Sequence, residues 1–128
     1  MSEKRVVRTE AAPAPFQGAP YSQAIVAGGF VFVSGQLGLK PGDTEISGGI
    51  AEQTEQVFAN LRAILHEASS GLDRLVKTTV FLQQLDDFQA MNDVYARHVG
   101  EQPPARATVE VAKLPSGALV EIDAIALL

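Results

Sequence analysis

Arg106, Thr108 and Glu110 fall at alternate positions in the run Pro103-Pro104-Ala105-Arg106-Ala107-Thr108-Val109-Glu110-Val111-Ala112. Glu121 and Asp123 do the same in Leu119-Val120-Glu121-Ile122-Asp123-Ala124-Ile125-Ala126-Leu127. A guanidinium grips a carboxylate through two parallel hydrogen bonds that a lysine does not reproduce. A carboxylate that takes a proton from water serves as a general base. Both runs read as strands from their Val, Ile and Leu content, with turn chemistry at Pro115-Ser116-Gly117 between them, so a β-hairpin is expected. Side chains alternate faces along a strand. With Ala112 opposite Leu119, the set Arg106, Thr108 and Glu110 shares a face with Leu119, Glu121, Asp123 and Ile125. A charge in that setting needs a partner, because an unpaired buried charge is very costly. The partner is either a ligand or an internal carboxylate, Glu121 or Asp123, and the residues alone favour the internal pair. Arg106 beside Glu121 is then expected to keep that carboxyl ionised.

The rest of the chain must position these groups. Residues 4–8 read as a short edge strand, and the Ala-Pro stretch at 11–15 as extended, irregular chain. Tyr21 follows in a loop marked by Gly18 and Pro20, either packing or presenting its hydroxyl to a pocket. Residues 21–27 and 30–34 form a hairpin about Gly28-Gly29. Ser34 and Gly35 end it; the serine hydroxyl is expected to satisfy nearby backbone and the glycine to allow a bulge or close approach. Residues 37–49 read as a loop without a phosphate-binding pattern. A long helix is expected over 47–70, with Val57, Phe58, Leu61, Ile64 and Leu65 on its apolar face. Ser70-Gly71 is its expected stop. Residues 75–82 read as a strand. A second helix follows, with Asp86 as N-cap and Gln89 at capping-box spacing. Asn92 lies on its apolar face between Phe88 and Tyr95, where a buried amide must find hydrogen bonds. His66 and His98 read as surface and helix-end histidines.

The predicted order is β-β-β-α-β-α-β-β, an α+β domain spanning 1–128 with a mixed sheet and two helices on one face. Val33, Val80 and Ile125 cannot all face inward under two helices, so the second face calls for oligomerisation. The chain has 128 residues, a net charge of −5, two histidines and no cysteine. Without cysteine there is no disulfide, thiolate metal site or thiol nucleophile. The acidic balance argues against a nucleic-acid partner. The N-terminal stretch lacks the apolar segment of a signal peptide, and no apolar run approaches membrane-spanning length. A cytoplasmic protein without a membrane partner is expected.

Several segments together carry a resemblance: Ala19-Pro20-Tyr21, Ser34-Gly35-Gln36, Val76 through Leu82, Asp87-Phe88 with Asn92, Pro104-Ala105-Arg106 through Leu114-Pro115, and Glu121-Ile122-Asp123-Ala124. In this order and over nearly the whole chain, they resemble the RidA/YjgF family of reactive-intermediate deaminases. The resemblance implies a chorismate-mutase-like α+β fold of about six strands, assembled as a homotrimer with ligand clefts between subunits. It implies hydrolysis of 2-imino acids, such as 2-iminopropanoate and 2-iminobutanoate, to 2-keto acids and ammonia without a cofactor. By position, Arg106 grips the substrate carboxylate, Thr108 contributes its backbone N–H, and Glu121 handles the catalytic water. Tyr21, Ser34, Gly35 and Asn92 complete or support the pocket. Ala19, Ala107 and Thr108 stand where the family often has glycine, serine and cysteine, which bears on substrate preference. The alternatives are a trimer that binds a keto acid without hydrolysing anything and, less favoured, an RNA-acting protein.

Overall fold

The computed structural model describes residues 3–128. Its strands are β1 (Arg5–Val7), β2 (Ala24–Ala27), β3 (Phe30–Leu37), β4 (Leu75–Leu82), β5 (Ala105–Glu110) and β6 (Val120–Leu127). Two helices, α1 (Ile50–Glu67) and α2 (Phe88–Val99), complete the predicted order. The six strands form one sheet in the order β1-β2-β3-β6-β4-β5. β4 and β5 are parallel and every other pair is antiparallel. The β2–β3 turn uses Gly28 and Gly29 at φ 59° and 83°, the left-handed region that makes this pair a tight hairpin turn.

The expected C-terminal hairpin is not formed. β6 runs between β3 and β4, while β5 lies at the edge beside β4. β4–α2–β5 is therefore a strand–helix–strand crossover, the connection that parallel neighbours require. The turn Pro115–Gly117 carries the chain away from β5 rather than folding it back.

Both helices pack on one sheet face. Val57, Phe58, Leu61, Ile64 and Leu65 of α1 are wholly buried with Val31, Val80, Ile122 and Ala126. Each large aliphatic side chain in such a core contributes about 1.5–3 kcal/mol by leaving water. α1 is capped by Gly49, whose N–H donates to Glu52 Oε1 at 2.9 Å, and ends three residues before the expected stop, with Ser69 left-handed at φ 67°. α2 begins after Asp87 rather than Asp86, without a side-chain cap, and Gln89 instead donates to Asp93 at 2.9 Å. His66 is exposed as expected. His98 does more than close a helix: its ring stacks on Phe58 at 4.6 Å, and Nε2 meets Glu55 Oε1 at 2.6 Å. Arg62 lies 3.2 Å from Nδ1, and since arginine only donates, Nδ1 accepts and Nε2–H donates to Glu55. The His98 hydrogen bond, with Arg97, holds the Glu55 carboxyl below its ordinary value, and this staple ties α1 to α2.

The opposite sheet face is mostly bare. Val33 and Val80 are buried under the helices, whereas Ile125 pairs with Phe32 and Lys77 on the open side. Phe30, Phe32, Val6 and Leu127 are between 37% and 53% exposed. At one end a second apolar cluster of Leu37, Leu39, Leu114 and Ala118, joined by Phe16 and Phe81, covers this face.

Candidate functional site

The sequence-predicted site residues fall into two groups on opposite faces of the sheet. Thr78 pairs with Arg106 in the β4–β5 ladder, and Phe81 pairs with Glu121 in the β4–β6 ladder. Paired residues share a face, and positions three apart on one strand do not. Arg106 and Thr108 therefore lie on the helix side, and Glu121 and Asp123 on the open side. The expected Arg106–Glu121 neighbourhood is absent within the chain. So is the internal ion pair with Glu121 or Asp123: among the described residues the only salt bridges are those of Glu55.

The Glu121 group is built by a bulge. β3 and β6 shift register between Val33↔Ala124 and Gln36↔Ile122, so Ser34 and Gly35 together oppose Asp123. The bulge leaves Val33 and Gln36 buried on the helix side and turns Ser34 and Gly35 toward the carboxylates. A Cβ on Gly35 would overlap Glu121 Oε2 and lie 2.9 Å from Cδ, so only glycine leaves room for this carboxyl. Ser34 Oγ donates to Ser22 O at 2.6 Å, as its sequence reading expected. Tyr21 is 42% exposed, and its hydroxyl oxygen accepts the Phe16 N–H at 2.6 Å. Tyr21, Ser34, Gly35 and Glu121 line one open hollow of about 380 Å³ with Phe16 and Pro115. Burial pushes the Glu121 carboxyl above its ordinary value, and the charge of Asp123 on the same face adds to the rise. Asp123 itself accepts the Thr79 N–H at 3.2 Å.

The Arg106 group is built by α2 and the edge strand. The guanidinium carbon lies 4.7 Å from the centre of the Tyr95 ring and 5.5 Å from that of Phe88. Asn92 is half-buried on the same stripe of α2, three and four residues from these rings, and makes no side-chain hydrogen bond among the described residues. Thr108 Oγ1 is the one buried side-chain polar atom without a partner among the described residues. An orphaned hydroxyl costs about 1–3 kcal/mol. Arg106, Asn92 and Thr108 thus share unfilled polar capacity at one edge.

A larger hollow of about 520 Å³ lies under the N-terminal arm, beside Val7, Ala12 and Gln23. Its charged groups, Arg8 and Glu10, are exposed, and its other polar groups are the hydroxyls of Thr9, Tyr21 and Ser22 and the Gln23 amide, which the arm's own backbone satisfies; it holds no buried carboxylate or cation, so it is not the candidate centre.

Sequence reasoning missed the buried amides that hold these loops. Gln23 accepts the Thr9 N–H at 2.7 Å and donates to Thr9 O and Pro13 O at 3.0 and 2.8 Å, fixing the arm that leads to Tyr21. Asn60 donates to Leu37 O and Leu39 O at 3.0 and 2.9 Å, and Gln53 accepts the Leu119 N–H at 2.9 Å. A signal was there: Gln53, Val57, Asn60 and Ile64 recur at the spacing of one buried helical stripe.

Comparison with known proteins gives this geometry a family. The model of the endoribonuclease L-PSP family matches residues 9–128. A RutC family protein of Pyrococcus abyssi is 50% identical over 124 residues, covering 96% of each chain. A Capra hircus protein named 2-iminobutanoate/2-iminopropanoate deaminase is 41% identical over 124 residues, 96% of this chain and 89% of that one. The crystal structure of yeast Mmf1 matches with a TM-score of 0.92 at 42% identity over 98% of each chain. That of E. coli TdcF with bound serine matches at 0.89 and 34% identity, over 97% of this chain and 98% of that one. On this likeness of sequence and fold along almost its full length, the chain belongs to the endoribonuclease L-PSP family, the RidA/YjgF group that its strand motifs resemble.

Proposed function

We propose that the chain is a hydrolytic deaminase of 2-imino acids, acting as a homotrimer whose clefts join the Glu121 group of one subunit to the Arg106 group of the next. The observation that carries the reading is the separation of Arg106 and Glu121 onto opposite sheet faces, each without a charge partner of opposite sign among the described residues. A one-chain site would have to reach through the sheet. A second copy laid on the open face brings the two groups together, and also covers Phe30, Phe32 and Leu127.

The chemistry follows from the groups. Arg106 binds the substrate carboxylate by its fork and so fixes the imine carbon relative to the cleft. Glu121, with its raised pKa, removes a proton from water as the oxygen adds to the C=N carbon. The resulting amino alcohol takes that proton on nitrogen and expels ammonia as its hydroxyl proton passes back to Glu121, and from there to solvent, and the C=O bond forms. One water is consumed, and one keto acid and one ammonia leave. A protonated imine is electrophilic by itself, so the reaction calls for no metal and no covalent intermediate. Tyr21 and Ser34 supply hydroxyls beside the water, and Asn92 and the Thr108 backbone N–H complete the carboxylate side. The name of the goat relative supports the substrate class.

The serine held by the E. coli neighbour favours a second reading, ligand binding without turnover. Imine loss separates the two. 2-Iminobutanoate generated in place by an amino-acid-processing enzyme should disappear faster with the protein present, by a factor proportional to its concentration. An unchanged rate with tight keto-acid binding supports the second reading instead. Ribonuclease action, which the family model's name carries, fits poorly with a cleft displaying Glu121 and Asp123 in a chain of net charge −5. A cytoplasmic setting accords with this chemistry, and among the described residues no helix is long and apolar enough to cross a membrane.

Gly35→Ala tests the placement of the base. The new methyl group meets the flexible end of Glu121, not backbone, so the fold survives while the carboxyl swings aside. Turnover should fall by roughly a hundredfold, the cost of about 1 Å of misplacement, with the melting temperature little changed. Normal turnover would mean that the carboxyl need not stand over Gly35.

A further inference from the structure

Tyr95 is 5% exposed, and its side chain meets three neighbours in defined geometry. One ring face lies toward the Arg106 guanidinium, 4.7 Å from it. The ring meets Phe58 edge-to-face, with centroids 5.4 Å apart and planes at 80°. Its hydroxyl shares a buried 2.7 Å hydrogen bond with Thr78 Oγ1. Thr78 is the residue paired with Arg106 in the β4–β5 ladder. The ring is therefore anchored, through its own hydroxyl, to the rung of the sheet that carries the arginine.

Burial alone does not call for this arrangement. A phenylalanine would fill the same space without a hydroxyl to satisfy, and a valine at position 78 would pack without one to offer. The hydrogen bond fixes what packing leaves free, the tilt and depth of the ring beneath the guanidinium. Arg106 needs such support, since among the described residues it makes no salt bridge. Phe88 gives a second face at 5.5 Å, but it is 40% exposed and far less constrained. A long side chain ordered before the ligand arrives loses less freedom on binding.

We infer that Tyr95 is a positioning residue for the carboxylate-binding arginine. It acts through the Arg106 guanidinium, which it holds in one plane while the cleft is empty, and it does not touch the substrate. The inference rests on the reading of Arg106 as the grip for a substrate carboxylate.

The test reads the arginine and the ligand separately. Nitrogen relaxation of the Arg106 Nε–H is measured on the ligand-free protein, and calorimetry gives its affinity for 2-oxobutanoate, for wild type, Tyr95→Leu and Tyr95→Phe. In wild type the Nε–H should be nearly as ordered as the backbone, with its proton shifted by the ring. Tyr95→Leu should free it and weaken 2-oxobutanoate by roughly tenfold, the size of a lost cation–π contact. Tyr95→Phe keeps the face but frees the ring from Thr78, so it should loosen the Nε–H only partly and weaken 2-oxobutanoate by an intermediate amount, about threefold. A mobile Nε–H in the wild type overturns the inference even if Tyr95→Leu does not fold, and so do equal losses in the Leu and Phe variants. Intact wild-type binding with unchanged Arg106 order in Tyr95→Leu overturns the inference alone. A wild type that binds no 2-oxobutanoate overturns the grip reading, and this inference with it.

Discussion

Arg106→Lys should lower kcat/KM for 2-iminobutanoate by roughly a hundredfold, the upper range for losing a charge-assisted bidentate hydrogen bond, while the fold stays intact. Lysine keeps the charge but loses the planar fork and the broad surface that lies over Tyr95 and Phe88. The geometry explains why the fold should tolerate it. Arg106 is half-buried at an edge strand and pairs with no carboxylate among the described residues, so its replacement leaves no buried acid stranded. Circular dichroism and imine-hydrolysis rates on one sample decide the matter. Near-normal turnover with lysine would mean that Arg106 does not hold the substrate.

Glu121→Gln should separate binding from chemistry. The amide matches the carboxylate in shape and still accepts a hydrogen bond, but it is no base at neutral pH. Turnover should fall by roughly a hundred- to ten-thousand-fold, the range of a general base. Keto-acid affinity should hold or rise, since a negative charge near the ligand carboxylate has gone. The pH profile carries the same assignment. Burial and Asp123 raise the Glu121 pKa, and a base works only when ionised, so the acid limb of kcat/KM should lie above the ordinary glutamate value of 4.5. Asp123→Asn removes one cause of the rise and should move that limb to lower pH. Full turnover in Glu121→Gln would exclude it as the base, leaving Asp123 on the same face as the next candidate.

The element order could be read from the chain because its periodicities are strong. Residues 75–82 are rich in β-branched side chains and form a strand, and 57, 58, 61, 64 and 65 mark the buried stripe of α1. Pairing could not be read the same way. The short polar connection at 113–118 looks like a hairpin loop, yet β6 pairs with β3, more than eighty residues earlier in sequence. Two local cues pointed the other way. β5 follows two prolines and is nearly all polar or small, as an edge strand is, whereas β6 is apolar enough for the sheet centre. Strand 75–82, helix and strand 105–110 also have the spacing of a parallel crossover. The misplaced strand had a chemical consequence. It set Arg106 beside Glu121 in one chain, where the sheet separates them, and it gave Glu121 a cation where the fold gives it burial and Asp123. The family resemblance supplied the residues and the inter-subunit cleft, but not the reason that the proposed reading sets the cleft between subunits. That reason is a parity of register positions, which only the strand order reveals.

Mixing two inactive proteins tests the shared cleft most directly. Arg106→Lys and Glu121→Gln chains, carrying different tags, are co-expressed in equal amounts, and the mixed oligomers are purified through both tags. If each cleft takes Glu121 from one subunit and Arg106 from its neighbour, one cleft of the three in every mixed trimer escapes both lesions. The purified oligomers should then show about a third of wild-type activity, although each parent alone keeps only about a hundredth or less. If Arg106 and Glu121 of the same chain serve one site, every site carries a lesion and the mixture stays as inactive as its parents. That result would contradict the account.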